Sequence, residues 1–245
     1  MIYIKSDEEI KLMRKPCEIV RDVLNLVEDK IRAGMTTKEL DKIAYDYITS
    51  CGAKPSFLGL YGFPATTCIS IDEEVVHGFP SDRIIEEDQI VSVDVGAFYN
   101  GFHGDAARSL YVGEISAEKK RLIDVTRECF FEGIKGICIG SALGDIGAQV
   151  RVHAEKNGYG VVREMVGHGV GKKLHEDPSV PNFGRRGTGI RLKRNMTLAI
   201  EPMITMGDYA VEIDGWKCVT RDGKPSAHYE NTVLIGENGV EILTL

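Results

Sequence analysis

Four acidic residues stand where acids are costly. Asp94 lies inside Ile90-Val91-Ser92-Val93-Asp94-Val95, Glu201 inside Leu198-Ala199-Ile200-Glu201-Pro202-Met203, and Glu230 heads Asn231-Thr232-Val233-Leu234-Ile235. Each run otherwise has the composition of a buried strand. Asp105, in GFHGDAARS, joins them. Taking a lone carboxylate out of water costs several kcal/mol unless a countercharge or a metal compensates. Any one of these acids could reach solvent from a half-buried strand. For three acids on three apolar strands that explanation weakens. Two divalent ions would balance the four negative charges, and one neutral imidazole could complete the ligand set. Oxygen donors plus one nitrogen, without thiolate, suit Mn, Fe, Co or Zn in a catalytic two-metal site rather than a structural zinc knot.

The stretch GHGVGKKLHEDP, residues 167 to 178, offers the imidazole. Its glycines suggest a phosphate loop, but Val166 and Lys173 break GxxxxGK[ST], and the spacing also misses GxGxxG. HExxH is absent, because Glu176-Asp177-Pro178 cannot continue as a helix with a second ligand. If the segment is extended, His168 and His175, seven apart, point to opposite sides. That expectation assigns them separate roles. His77, in VVHGFPSD, is a third candidate, although a single histidine is more often a turn or packing residue. His103, His153 and His228 are expected to be structural or exposed.

These residues need elements to position them. Ser6 with Glu9 and Thr36 with Glu39 form capping boxes that open two helices, the first bearing Pro16 as a possible kink and running towards Gly34, the second ending at Gly52. A third helix is predicted from near Ser116 to Gly133 or Gly136, and a fourth from about Ser141 to Gly158. QIVSVDVGAFYNGFHGDAARSLYVG reads as two strands around a turn at Asn100-Gly101, and later strands follow in NMTLAIEPMITMG and HYENTVLIGENGVEILTL. The halves echo each other. Displaced by 106, Gly34 meets Gly140 and Gly52 meets Gly158; displaced by 107, Asp94 meets Glu201. A helix pair followed by an acid-bearing strand thus occurs twice. No linker-like segment separates the halves, so one α+β domain over residues 1–245 is expected.

Composition bounds the rest. Of 245 residues, 43% are hydrophobic and 27% charged, with a net charge of −7, so a broad nucleic-acid footprint is excluded. The basic stretch of Arg185, Arg186, Arg191, Lys193 and Arg194 is expected to be a solvated loop, with transient contact to ribosomal RNA as the minority alternative. The N-terminus lacks a signal-peptide core, and the six cysteines are scattered without a CxxC pair. No membrane span, a cytoplasmic location and reduced thiols are expected, and nothing calls for more than a monomer.

HGFP at His77, SVDVG at Asp94, GFHGD at Asp105, GHGVGKKLHEDP, AIEPM at Glu201 and SAHYENTV at Glu230, in this order and spacing, resemble the type I methionine aminopeptidases of peptidase family M24 in their minimal bacterial form. The resemblance spans nearly the whole chain. It implies the "pita-bread" fold, one α+β domain with pseudo-two-fold related halves. It further implies that Asp94, Asp105, His168, Glu201 and Glu230 hold two divalent ions (Co, Mn, Fe or Zn), with Asp105 and Glu230 shared between them. His77 and His175 would face the substrate, the N-terminal methionine of nascent polypeptides. A water made acidic by the ions would attack the first peptide bond, with Glu201 as proton acceptor, His175 stabilising the oxyanion and His77 placing the amide. A small second residue is implied. Phe63, Cys68 and Trp216 match an apolar methionine pocket, although core packing alone would equally explain Phe63 and Cys68. Phe57, Leu60 and Leu174 stand where relatives carry cysteine, tyrosine and phenylalanine, and Asn231 where a histidine is common. Such swaps could retune second-residue preference.

Three rivals remain. A prolidase or aminopeptidase P would carry an extra N-terminal domain, whereas this chain opens on the first helix. A non-catalytic binding module of the same fold would lose ligands, and all five are present. A nucleic-acid-binding role would rest on the 185–194 loop alone.

Overall fold

The computed structural model describes all of residues 1–245. Both predicted capping boxes form: Glu9 N–H donates to Ser6 Oγ at 3.2 Å while Ser6 N–H donates to Glu9 Oε2 at 2.9 Å, and Thr36 and Glu39 repeat the exchange. They open helices α1 (Asp7–Lys30) and α2 (Thr37–Ser50). Helices α3 (Ala117–Ile134) and α4 (Leu143–Lys156) fall inside their predicted bounds. Pro16 does not interrupt α1. Packing holds the helix there: a Cβ on Gly104 would lie 2.8 Å from the Pro16 carbonyl carbon and 2.7 Å from Cys17 N. Strand and helix backbones therefore meet directly beneath Pro16, and that close approach requires glycine.

The helices lie against a nine-stranded antiparallel sheet. Its central order is Ile90–Tyr99, Phe102–Tyr111, Glu230–Gly236, Thr197–Ile200, Gly167–Gly169 and Glu176–Val180. The first two strands form the predicted hairpin, with Asn100 at φ 48° and Gly101 at φ 85°, the left-handed pair that a tight hairpin turn needs. Residues paired across strands share a face, as do residues two apart along a strand. On one face Val93, Val95 and Ala106 join Ile19, Val23, Leu40 and Ile48 from α1 and α2 in one core. On the same side Leu198, Ile200, Val233 and Ile235 join Phe130 of α3 and Ile146 of α4 in a second.

The central strands are arranged outer, inner, inner, outer: Asp94 and Asp105 come from the first pair, Glu230 and Glu201 from the second. Each pair follows its own helix pair, which is the internal echo seen in the sequence. The mixed helix-and-sheet architecture is the α+β fold expected. Arg185, Arg186, Arg191, Lys193 and Arg194 are exposed, with Arg194 paired to Asp7 at 3.0 Å. All six cysteines are free thiols. No helix is long and apolar enough to cross a membrane.

Candidate metal centre and cleft

The register that buries Val93 and Leu198 turns the acids the other way. Asp94 pairs with Ala107, and Ala107 pairs with Glu230, so all three point to the face opposite the helices. Asp105, two residues before Ala107, joins them. His168 pairs with Ala199, which pairs with Thr232. Glu201 follows two residues after Ala199, just past its strand, where Asn182 Nδ2 holds the Glu201 carbonyl at 2.8 Å. Thr232 Oγ1 both accepts from Asp105 N–H and donates to its carbonyl, tying the two halves together beside the site. Behind Glu230, Arg108 donates to its carbonyl at 2.6 Å and to Asn231 Oδ1 at 2.7 Å. Asn231 thus faces away from the acids.

Asp94, Asp105, His168, Glu201 and Glu230 all line one cleft of about 400 Å³. His168 Nε2 lies 3.6 Å from Asp105 Oδ2 and 3.8 Å from Glu201 Oε1. Asp105, His168 and Glu230 bring donor atoms within 4.8 Å of one another, and so do Glu201, His228 and Glu230. Asp94 Oδ1, Asp105 Oδ1 and Glu230 Oε1 are buried without a hydrogen-bond partner. Burial raises Asp94 to about 7. Asp105 is pushed well up by burial and then by Asp94 and Glu201. Glu201 and Glu230 rise for the same reasons, burial first and neighbouring carboxylates after. His168 is lowered to about 4 by burial and then by His175, which leaves a neutral donor nitrogen. Four clustered carboxylates, three of them with an orphaned oxygen, and one neutral imidazole fit a divalent-cation site, because bound cations would satisfy the oxygens and favour their ionised form.

His168 and His175 are neighbours, not divergent. Their rings meet edge to face at 4.5 Å. The extended-strand assumption fails because only Gly167–Gly169 is strand; the chain then turns and returns as Glu176–Val180, with Gly169 paired to Glu176. Their environments still differ. His168 faces the acids, whereas His175 is exposed and lies parallel to Tyr61 at 6.0 Å. The protein around His175, and then His77, lower its pKa. The glycines serve the strand crossing: a Cβ on Gly167 would meet the Ala199 carbonyl at 2.3 Å, and one on Gly169 the Asp177 carbonyl at 2.3 Å.

His77 enters the same cleft from the end of the Glu74–Val76 strand and is held neutral chiefly by burial. That strand belongs to a three-stranded sheet whose hairpin tip carries Trp216. Phe63 packs edge-on against Trp216 at 5.6 Å and against Phe57 at 6.5 Å. Phe57, Phe63, Cys68 and Leu174 form one buried apolar cluster with Leu60 and Trp216 beside it, and all six line the cleft.

His103 and His153 are structural as expected, bonded to Ser56 Oγ and Glu128 Oε2, each at 2.8 Å. His228 is not simply structural. It is buried against Glu201 and Glu230 with Nε2 unpartnered. Nothing local in Ser226-Ala227-His228 signals this, since the strand's pairing with Met203–Thr205 places the ring.

The model of metallopeptidase family M24 matches residues 11–237. A methionine aminopeptidase of Clostridium perfringens is 54% identical over 100% of this chain and 99% of its own length. The crystal structure of methionine aminopeptidase from Thermotoga maritima superposes with a TM-score of 0.98 at 45% identity, covering 100% of this chain and 99% of that one. Prolidase from Pyrococcus furiosus reaches a TM-score of 0.82 at 26% identity, covering 99% of this chain but 65% of that one.

Proposed function

We propose a specific reaction for a chain that belongs to metallopeptidase family M24 and, within it, to the methionine aminopeptidases: removal of the N-terminal methionine from nascent proteins and peptides, with preference for a small second residue. The chain is a metal-dependent aminopeptidase, a hydrolase of N-terminal peptide bonds. In this reading residues 1–245 act as one catalytic domain, monomeric and cytoplasmic, with the exposed 185–194 loop available for transient ribosome contact. The observation that carries it is the set of buried carboxylate oxygens without partners at the floor of an apolar cleft.

Asp94, Asp105, His168, Glu201 and Glu230 would hold two divalent ions, which the fourfold negative charge and the single imidazole support. When bound, the ions supply an activated water and polarise the scissile carbonyl. The remaining steps belong to the chain. Phe63, Cys68 and Trp216 receive the methionine side chain. Glu201 takes the proton from the attacking water at its carboxylate and passes it to the leaving amine. His175, at the cleft mouth, donates to the carbonyl oxygen as negative charge develops there. His77 orients the amide on the leaving side.

The test is release of the N-terminal residue from Met-Ala-Ser, Met-Leu-Ser and an Xaa-Pro peptide whose Xaa is not methionine, by metal-depleted protein given Mn, Fe, Co or Zn. Release that needs metal, favours alanine over leucine and spares Xaa-Pro is expected. No release with any metal, or cleavage of the Xaa-Pro peptide, contradicts the reading.

A further inference from the structure

Of the histidines near the acids, His228 alone stands outside the cleft lining. It ends the Ser226–His228 strand opposite Met203 and is 1% exposed. Its backbone is held on both polar groups: the N–H donates to Ser109 Oγ at 2.8 Å, and the carbonyl accepts from that hydroxyl at 3.0 Å. The backbone that carries the ring is therefore fixed, and the ring itself is buried. Its Nε2 has no hydrogen-bond partner. It faces Glu201 Oε2 at 3.7 Å and Glu230 Oε2 at 3.9 Å, a few tenths of an ångström beyond a hydrogen bond. Glu201 Oε1 meanwhile lies 3.8 Å from His168 Nε2. Each Glu201 oxygen thus faces an imidazole, one from the cleft and one from behind.

We infer that His228 is a positioning residue whose Nε2–H donates to Glu201 and Glu230 from behind and holds these carboxylates in the orientation that receives divalent ions. The inference rests on the reading of Glu201 and Glu230 as ligands. Position decides between ligation and support: all five proposed ligands line the cleft, and His228 does not. A small rotation of either carboxylate closes the hydrogen bond and gives the buried, unpartnered Nε2 an acceptor. Partners that orient a ligand in this way are worth about 10–100-fold in metal affinity.

Cobalt binding to metal-depleted wild type, His228→Gln and His228→Leu tests this by calorimetry and by the visible Co(II) spectrum. His228→Leu should bind Co(II) about 10–100-fold more weakly with band positions unchanged. His228→Gln keeps an N–H donor and should stay within about threefold of wild type. Should His228→Leu not fold, His228→Ala carries the same expectation. Equal affinity in wild type and the apolar variant overturns the inference and leaves the ligands standing. So does equal loss in both variants, which marks a packing role, or a shifted Co(II) spectrum, which marks direct ligation. If wild type binds no Co(II), the reading beneath it fails instead.

Discussion

His175 and His168 show how far single residues determine this site. Both come from one glycine-rich stretch, yet one faces the carboxylates and the other the mouth of the cleft beside Tyr61. If His175 stabilises the developing oxyanion, His175→Ala should lower kcat by about 10²–10³ while metal affinity and KM change little. Steady-state kinetics beside a metal titration checks this; an effect confined to KM would assign His175 to binding alone. Asp94, Glu201 and Glu230 were readable from sequence because each lies in or heads an apolar run, an anomaly visible without structure, whereas Asp105 in GFHGDAARS was legible only beside them. The convergence of His168 and His175 was not, because it depends on the chain turning back between Val170 and His175. His228 was harder still, since its placement comes from a strand partner rather than from its neighbours in sequence.

The returning turn is an element with its own support. Lys5 Nζ meets Glu176 Oε2 at 2.7 Å, with the two side chains only 1% and 10% exposed, and Glu176 Oε1 accepts the Lys173 N–H at 3.1 Å. The segment before α1 thus straps the turn that presents His175. Lys5→Ala leaves Glu176 without its cation and should cost about 3 kcal/mol, the low end for breaking a buried pair. Thermal unfolding should register that loss, and kcat/KM should fall through misplacement of His175. An unchanged midpoint would show that the strap carries no load. Longer elements were well marked: both capping boxes and the Asn100-Gly101 turn stood where local chemistry put them. Short strands such as Gly167–Gly169 lack enough residues for a period, and Pro16 was overruled by packing against Gly104.

Across the whole molecule, two helix pairs press one face of a sheet into core while the opposite face gathers charge. The sequence echo foreshadowed this arrangement, but the register that aligns Asp94, Ala107 and Glu230 arises only when the halves join. Charge gathered in this way links stability to pH. Without metal, Asp94 is raised to about 7, and Asp105, Glu201 and Glu230 are raised well above their usual range. The folded chain then holds protons that the unfolded chain releases, so stability falls as pH rises. The histidines act oppositely: with His168 at about 4 and His228 at about 3, their contribution grows with pH only up to the ordinary histidine value near 6.5. Above about pH 6.5 the acids act alone. The thermal midpoint of metal-depleted protein should therefore fall from about pH 6.5 to about pH 8, and added divalent metal should remove that fall. A flat profile without metal would contradict the electrostatic account.

If the acids hold divalent ions that act on an N-terminal methionine, ion binding and methionine release must rise together. Titrating metal-depleted protein with Mn(II), with bound ions and methionine release from Met-Ala-Ser followed together beside Asp105→Ala, tests this. Two ions bound per chain at saturation, release that appears only as ions bind, and loss of both in the variant are expected. Full release with no ion bound, or binding that Asp105→Ala leaves untouched, would contradict it.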